Sequence, residues 1–456
     1  MGRLILKDIV KATGGKVLCG KPEKFSGLSI DSRSIIDGDL FVALKGEHFD
    51  GHDFINAALI KGAGTLVQFS PPELPANKTV ILVRNTLAAL QDMARYLRSK
   101  ISLPVIGVTG TNGKTTTKEL LASIFGQHHK VLKTTGNLNN HIGLPLCIGR
   151  MEGDEDIMVL EMGSNRRGDI KQLCDIALPD FCVVTNAGPA HLEGFGSLEA
   201  VRDTDLEILD YAKVASINAD DAFLLEGVKN YNGRLITYGM KNNADVFAKD
   251  IMLGTRGSGF KLCFSDKRKI AVNLQLSGTM NIYNALAAAS MADALDIGLD
   301  DIKNGLESFG GVPMRLEIKE IPGALVISDV YNANPASMEE ALKELVRLKR
   351  KRTIAVLGDM LELGGYAEEA HKKLVRLASA LKIEVLLAVG PEMSRAAKEF
   401  KGVCYQAENS DGARSILLSI RQEGDAILIK GSRGMRMEKI LREADFAGVG
   451  EGNNAL

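Results

Sequence analysis

The sequence predicts an α/β protein of three domains, on three observations. Its 456 residues exceed what one ordinary hydrophobic core organises, so two to four domains are expected, with three the easiest fit. Short apolar runs with strand character alternate with helical patterns, in the middle of the chain and again in its last third; that alternation predicts mostly parallel sheets with helices on both faces. Hydrophobic residues make up 45% of the chain and charged residues 25%, as in a globular protein.

Residues 1–100 read as a small α/β unit. An amphipathic helix is predicted over Leu6 to Ala12, a strand over Leu40 to Leu44, and a helix from Phe54 to Lys61 that Gly62 and Gly64 end. The Pro-rich stretch Ser70 to Pro75 reads as a surface loop. Residues 101–313 carry strand-like runs at Val105–Val108, Ile157–Leu160, Phe181–Thr185 and Val214–Ile217. Gly254 to Ser277 alternates polar and apolar residues around Gly257 and Gly259, as an antiparallel hairpin does. The Ala-rich segment Tyr283 to Leu295 is almost wholly apolar and predicts a buried helix. Residues 314–456 repeat the alternation, with strands at Ala324–Ser328, Thr353–Leu357, Val385–Val389 and Ala426–Ile429, and read as a Rossmann-like layer.

A net charge of −1 gives no electrostatic reason to expect nucleic acid or a membrane surface. No run of about 18 apolar residues predicts a membrane span, and the N-terminus lacks the apolar core of a signal peptide. A cytoplasmic protein is expected, and a monomer. The six cysteines form no CxxC pair, which argues for reduced, mostly buried thiols rather than a zinc or redox site.

The strongest motif runs from Val105 to Thr116, where an apolar strand enters Gly110-Thr111-Asn112-Gly113-Lys114-Thr115-Thr116 and then a helix over Lys118 to Phe125. Glycines in such a loop let backbone N–H groups approach phosphate oxygens, and the helix N-terminus adds positive potential. Lys114 would reach the β- and γ-phosphates, and the Thr115 hydroxyl would ligate Mg²⁺. The spacing departs from the usual P-loop, because Val108 stands where a glycine is expected and the glycines fall at 107, 110 and 113.

Two further positions stand at predicted strand ends, where open α/β sheets bind ligands. Glu161 closes the strand Ile157–Leu160 and is placed to hold Mg²⁺. His191 follows the next strand; imidazole is unusual for Mg²⁺, so alone it reads as a phosphate or substrate contact. Asn137, Asn139, Asn140 and His141 crowd one loop, either as a plain turn or as donors to a polar substrate.

These motifs resemble the Mur ligase family. The run at 110–116 is similar to its ATP loop, and Leu160–Asn165 and Asn186–Ser197 to its metal-binding segments. The stretches 328–338, 355–371 and 430–438 resemble the branch that adds a dipeptide, and residues 29–63 resemble a UDP-binding domain that branch shares with a sibling. The resemblance covers essentially the whole chain. It implies an ATP- and Mg²⁺-dependent amide ligase that adds D-alanyl-D-alanine to a UDP-linked muramoyl tripeptide through an acyl phosphate.

By the same resemblance, Asp31, Ser32 and Arg33 belong to the UDP-sugar signature, with Lys45, Gly46, Asp50, Gly51 and His52 nearby. Lys114 and Thr115 hold phosphate and Mg²⁺, and Glu161 and His191 ligate metal. Asn281 contacts adenine, Arg315 the γ-phosphate and Asp329 the ribose. Tyr331, Asn332, Asn334 and the segment 357–364 line the dipeptide side. The alternatives are a sibling ligase such as MurE and a non-catalytic nucleotide-binding homologue.

One departure bears on the chemistry. Relatives usually carry a carbamylated lysine about 14 residues after the metal-binding histidine; here that position is Asp205, and no lysine occurs between 172 and 212. Leu198, Val201, Asp205, Ile208 and Ala212 fall on one helical stripe of which Asp205 is the polar member. An unpaired carboxylate there is costly. Asp205 therefore reads either as a built-in replacement for the carbamate, direct or through water, or as a carboxylate that only meets a neighbouring cation in a weakened site. A second departure, Met280 where relatives often have histidine, is compatible with packing against a base.

Overall fold

The structure, a computed structural model, describes residues 4–441, so the last part of the expected third domain lies outside the described residues. Its strands form three principal sheets of five, nine and six strands and one small two-stranded sheet.

The five-stranded sheet belongs to the first hundred residues. Its order is Lys16–Cys19, Thr79–Leu82, Gly64–Val67, Leu40–Val42 and Leu28–Ser29; the first is antiparallel to its neighbour and the rest are parallel. The predicted Pro-rich loop is a loop. The helix Thr86–Ser99 closes this unit and seats it on the next. Its Arg98 guanidinium is buried and donates to the carbonyls of Ala177 (2.8 Å), Leu178 (3.1 Å) and Ile101 (3.0 Å). Those of Ala177 and Leu178 are carbonyls at the end of the helix Asp169–Ala177 that no further helical turn satisfies.

In the nine-stranded sheet, Val105–Thr109 lies between Ile157–Glu161 and Phe181–Val184; Val131–Lys133 forms one edge. The chain therefore leaves Val105–Thr109 towards one edge and returns to its other side, a topological switch point at which ligands bind beyond the strand ends. The predicted hairpin is present as Ser258–Phe264 and Lys269–Leu274, joined by a turn at 265–268; Gly257 closes the turn before it, its carbonyl accepting from Gly254 N–H, and Gly259 lies within the first strand.

Two helices begin four residues earlier than the sequence suggests. The helix after the phosphate loop spans Lys114–Phe125, entered by Gly113 at φ +86°. The buried apolar helix spans Thr279–Ala294, entered by Gly278 at φ +91°. In both, a left-handed glycine rather than a side-chain cap turns the chain into the helix, and the first turn carries no apolar repeat to announce it. The six-stranded sheet runs Glu317–Ile321, Ala324–Asp329, Asp425–Lys430, Arg352–Gly358, Val385–Val389 and Val403–Ala407; all neighbours except the first pair are parallel.

No helix among the described residues is long and apolar enough to cross a membrane. All six cysteines are free; four are buried, Cys19 is half-buried and Cys404 is exposed.

Candidate active site

A cavity of about 750 Å³ opens where the strand ends of the nine-stranded and six-stranded sheets face each other. The phosphate loop forms its floor. Gly110 takes φ +118°, and a Cβ there would lie 2.3 Å from the Thr185 hydroxyl; a Cβ on Gly113 would lie 2.3 Å from Asn284 Oδ1. Both glycines are thus required by backbone angle and by space. The loop is propped from behind by the chain after Phe181–Val184. Asn186 Oδ1 accepts from Asn112 N–H (3.0 Å), Thr185 Oγ1 donates to the Asn112 carbonyl (2.6 Å), and the Thr111 hydroxyl accepts from Gly188 N–H (2.8 Å).

Lys114 Nζ donates to the carbonyls of Gly110 and, at 3.2 Å, Thr111. Desolvation holds its pKa below the usual lysine value, opposed by the carboxylates of Asp205 and Glu161 and reinforced by Arg315. An arriving phosphate would reverse that balance. Thr115 and Thr116 line the same floor.

Glu161 is 3% exposed. Its Oε1 accepts from Asn139 Nδ2 at 2.8 Å, while Oε2 is buried with no hydrogen-bond partner; the closest cation, Lys118 Nζ, stands 3.7 Å away. Lys118 is itself fully buried, donating to the Thr134 carbonyl (2.7 Å) and facing Glu119 at 3.0 Å. Nothing in the sequence reading picked it out; its one signal is the spacing of one helical turn after Lys114. Of the asparagine-rich loop, Asn140 is turn-forming, its Oδ1 accepting from the amides of Ile142 and Gly143, whereas Asn139 reaches Glu161; both line the cavity with Asn137 and His141.

An orphaned buried carboxylate oxygen on a cavity that Thr115 also lines suits a hard cation. Among the described residues no three His, Cys, Asp or Glu side chains cluster into a ready-made metal cage. The lone Glu161 carboxylate fits Mg²⁺, which is commonly held by one or two carboxylates together with nucleotide phosphates and water.

Asp205 ends the helix Leu198–Asp205 and is 2% exposed. It does not line the cavity. Its Oδ1 accepts from the hydroxyls of Thr109 (2.9 Å) and Ser164 (3.2 Å), and burial pushes its pKa up against the pull of Lys114. The predicted stripe is partly right: Val201, Ile208 and Ala212 are buried with it, but Leu198 is half-exposed and the helix tightens to 3₁₀ geometry from Leu206.

The opposite wall comes from the six-stranded unit. Arg315, between two left-handed residues, Met314 (φ +65°) and Leu316 (φ +47°), lays its guanidinium 4.0 Å over the Tyr331 ring, and its Nε is buried without a partner. Asp329 accepts from Lys430 Nζ at 2.5 Å and from Leu316 N–H at 3.2 Å. Asn334 caps the helix Pro335–Arg347 and donates across the cavity to Asn112 Oδ1 at 2.8 Å. Tyr331, Asn332, Asn281 and Met280 also line the cavity. A second link between the units is Arg347, which donates to the carbonyls of Leu253 (3.0 Å) and Gly254 (2.8 Å) and to Ser277 Oγ (2.6 Å), with Glu344 bonded to the same hydroxyl. Neither Glu344, Arg347 nor Lys430 was singled out from sequence.

His191 faces the cavity and a side chamber of about 120 Å³ shared with Asn332, Asn334, Leu361, Glu362 and Arg433. Asp31, Ser32 and Arg33 are not brought there. They sit on the first unit, where Arg33 bonds Asp31 at 2.7 and 2.9 Å and holds its carboxyl down at about 2.

With a phosphate loop at a switch point, an orphaned carboxylate beside it and a second α/β unit over both, the cavity has the make-up of a nucleotide-binding enzyme site. The family descriptions agree: residues 24–98 match the Mur ligase family catalytic domain, 108–292 the Mur ligase middle domain, and 314–433 the Mur ligase glutamate ligase domain. The chain belongs to the Mur ligase family.

Within it, similarity runs to one branch. The chain is 36% identical to the UDP-N-acetylmuramoyl-tripeptide–D-alanyl-D-alanine ligase of Bacillus subtilis, over 91% of this chain and 92% of that protein. It is also 36% identical to the ligase of the same name from Escherichia coli, over 93% and 95%. Among solved structures, MurF from Acinetobacter baumannii superposes with a TM-score of 0.88 at 30% identity, covering 96% of this chain and 97% of that one. MurF from Thermotoga maritima, solved in complex with ADP, gives 0.82 at 31%, covering 92% and 97%.

Proposed function

We propose that this protein joins D-alanyl-D-alanine to UDP-N-acetylmuramoyl tripeptide at the expense of ATP, in the cytoplasmic assembly of cell-wall precursor. The observation that carries the reading is the single cavity in which the phosphate loop and Glu161 face Arg315 and Asp329 of the C-terminal unit.

The tripeptide's terminal carboxylate attacks the γ-phosphorus of ATP; the bond to the bridging oxygen breaks and ADP leaves, giving an acyl phosphate. The free amine of D-alanyl-D-alanine then adds to the activated carbonyl, loses a proton, and phosphate departs as the amide forms. Two anions must meet in the first step. Lys114, the loop N–H groups and Arg315 offset their charge. Thr115, Glu161 and His191 would hold Mg²⁺, which supplies further charge neutralisation when bound. Asn281 and Met280 would bound the adenine, Asp329 the ribose, and Tyr331, Asn332 and Asn334 the acceptor dipeptide. Closure of the C-terminal unit excludes water that would hydrolyse the acyl phosphate. Asp31, Ser32 and Arg33 would hold the UDP portion. We read Asp205 as a genetically encoded carboxylate in place of a carbamylated lysine, acting from behind the loop on Lys114.

The test is phosphate release and amide formation with UDP-muramoyl tripeptide and D-alanyl-D-alanine, comparing wild type, Asp205→Ala and Asp205→Lys with and without bicarbonate. The reading expects wild-type turnover that requires both substrates and no bicarbonate, and a crippled Asp205→Ala. An indifferent Asp205→Ala removes the role given to Asp205; a wild type that makes no amide removes the ligase reading.

A further inference from the structure

The C-terminal unit touches the central one at a point the proposed mechanism leaves unused. After the strand Arg352–Gly358 the chain turns through Leu361, Glu362 and Leu363 and settles on the short helix Leu192–Phe195. The contact has a side-chain and a backbone part. The Glu362 carboxylate meets His191 at Nδ1, and the Glu362 carbonyl accepts from Glu193 N–H at 3.2 Å. Gly364 packs beside this contact: a Cβ there would meet Glu193 Cα at 3.4 Å, ordinary van der Waals contact.

Both partners are held in unusual backbone conformations. His191 takes φ +50° and Glu362 φ +63°, left-handed angles that side chains with a Cβ adopt at a cost. Such residues persist where the surroundings over-determine them, and they gather at functional contacts. Here two meet head to head from different units. With Nδ1 engaged by the carboxylate, Nε2 is the nitrogen left for the cavity.

We propose that Glu362 is a positioning residue for His191, delivered across the interface by the C-terminal unit. It orients the imidazole, as carboxylates behind metal-bound histidines do. The proposal rests on the reading of His191 as a divalent-cation ligand. Its consequence is that the cation site is completed only when the units are closed, so tight cation binding and acceptor delivery coincide.

The experiment measures Mn²⁺ binding directly, by loss of the free-ion EPR signal, in full-length protein with a non-hydrolysable ATP analogue. Wild type, Glu362→Ala, Glu362→Gln, His191→Ala and the double variant Glu362→Ala/His191→Ala are compared. Glu362→Ala should weaken Mn²⁺ binding by roughly 10–100-fold. Glu362→Gln, which keeps an acceptor oxygen, should recover part of the loss, and Glu362→Ala should change nothing further once His191 is gone. Equal losses in the two backgrounds, unchanged binding in Glu362→Ala, or unchanged binding in His191→Ala each overturn the proposal. Amide formation by the wild type is scored separately, so failure of the ligase reading leaves this cycle interpretable.

Discussion

On the central side of the cavity the phosphate loop is tied down by its own neighbours, through Thr185, Asn186 and Gly188, and its two left-handed glycines are packed against Thr185 and Asn284. On the C-terminal side Asp329 is held by Lys430, and Arg315 lies over the Tyr331 ring. Between the two run Asn112 with Asn334, His191 and Glu193 with Glu362, Ser277 with Glu344, and Arg347 with Ser277 and two carbonyls. Each wall is preorganised, while their meeting is held by a handful of exchangeable polar bonds. Chemistry that needs an exact floor and a removable roof calls for that difference.

Substitutions can break or sharpen the contrast. The largest effect on rate is expected at the floor. Lys114→Ala should lower ATP turnover by about 10²–10³-fold or more, without lowering the melting temperature, because burial already disfavours its charge. Steady-state kinetics and calorimetry on one preparation check both halves. A large loss of stability would mean that the floor depends on Lys114 to fold.

The largest effect on stability should fall at Lys118. Lys118→Met removes a buried cation and leaves Glu161 and Glu119 short of a partner, a loss on the order of 3–5 kcal/mol for a broken buried pair. Denaturant unfolding would show it.

At the seam, Arg347→Ala deletes three hydrogen bonds to the central unit. With each worth about 1 kcal/mol net, the KM for ATP should rise by roughly tenfold or more, and small-angle scattering should show a larger radius of gyration with nucleotide bound. Unchanged scattering would show that the seam is held elsewhere.

A smaller change of opposite sign is expected at Asp205. Burial raises its pKa against the pull of Lys114, so its ionisation costs stability as pH rises past the usual carboxylate value towards the raised one. Asp205→Asn keeps an acceptor for Thr109 and Ser164 without that cost. Its melting temperature should exceed wild type at pH 7, the gap narrowing as pH falls towards about 4. A lower melting temperature at pH 7 would mean that the charge on Asp205, paired with Lys114, stabilises the floor. The smallest effect on stability belongs to exposed Arg33. Arg33→Ala should leave the melting temperature unchanged and raise the KM for the UDP substrate; an unchanged KM would remove it from that site.

The floor was the legible part of this site. A strand, glycines, Lys114 and a helix are adjacent in sequence, and Glu161 and His191 follow from the rule that ligands gather at strand ends. Helix starts were misjudged at Lys114 and Thr279 because left-handed glycines, not capping side chains, begin them. The seam was not legible at all. Arg347 meets Ser277, and Glu362 meets His191, across separations that no local periodicity encodes. Lys118 escaped notice because a buried lysine inside a helix looks like any surface lysine until its partners are placed. Asp205 could be recognised as out of character on its stripe, yet its hydroxyl partners Thr109 and Ser164 emerge only from the packing.

Arg98 has a consequence for how the first unit communicates with the cavity. It grips the Ala177 and Leu178 carbonyls at one end of the helix Asp169–Ala177, whose other end, at Asp169 and Gln172, lines the cavity. A nine-residue helix is a strut roughly 13 Å long. The first unit is therefore bolted to the far end of a rod whose near end abuts the cavity, and its orientation is set by that mounting rather than by a flexible tether. A substitution at Arg98 would act as a misalignment, felt at the cavity with every reacting group intact.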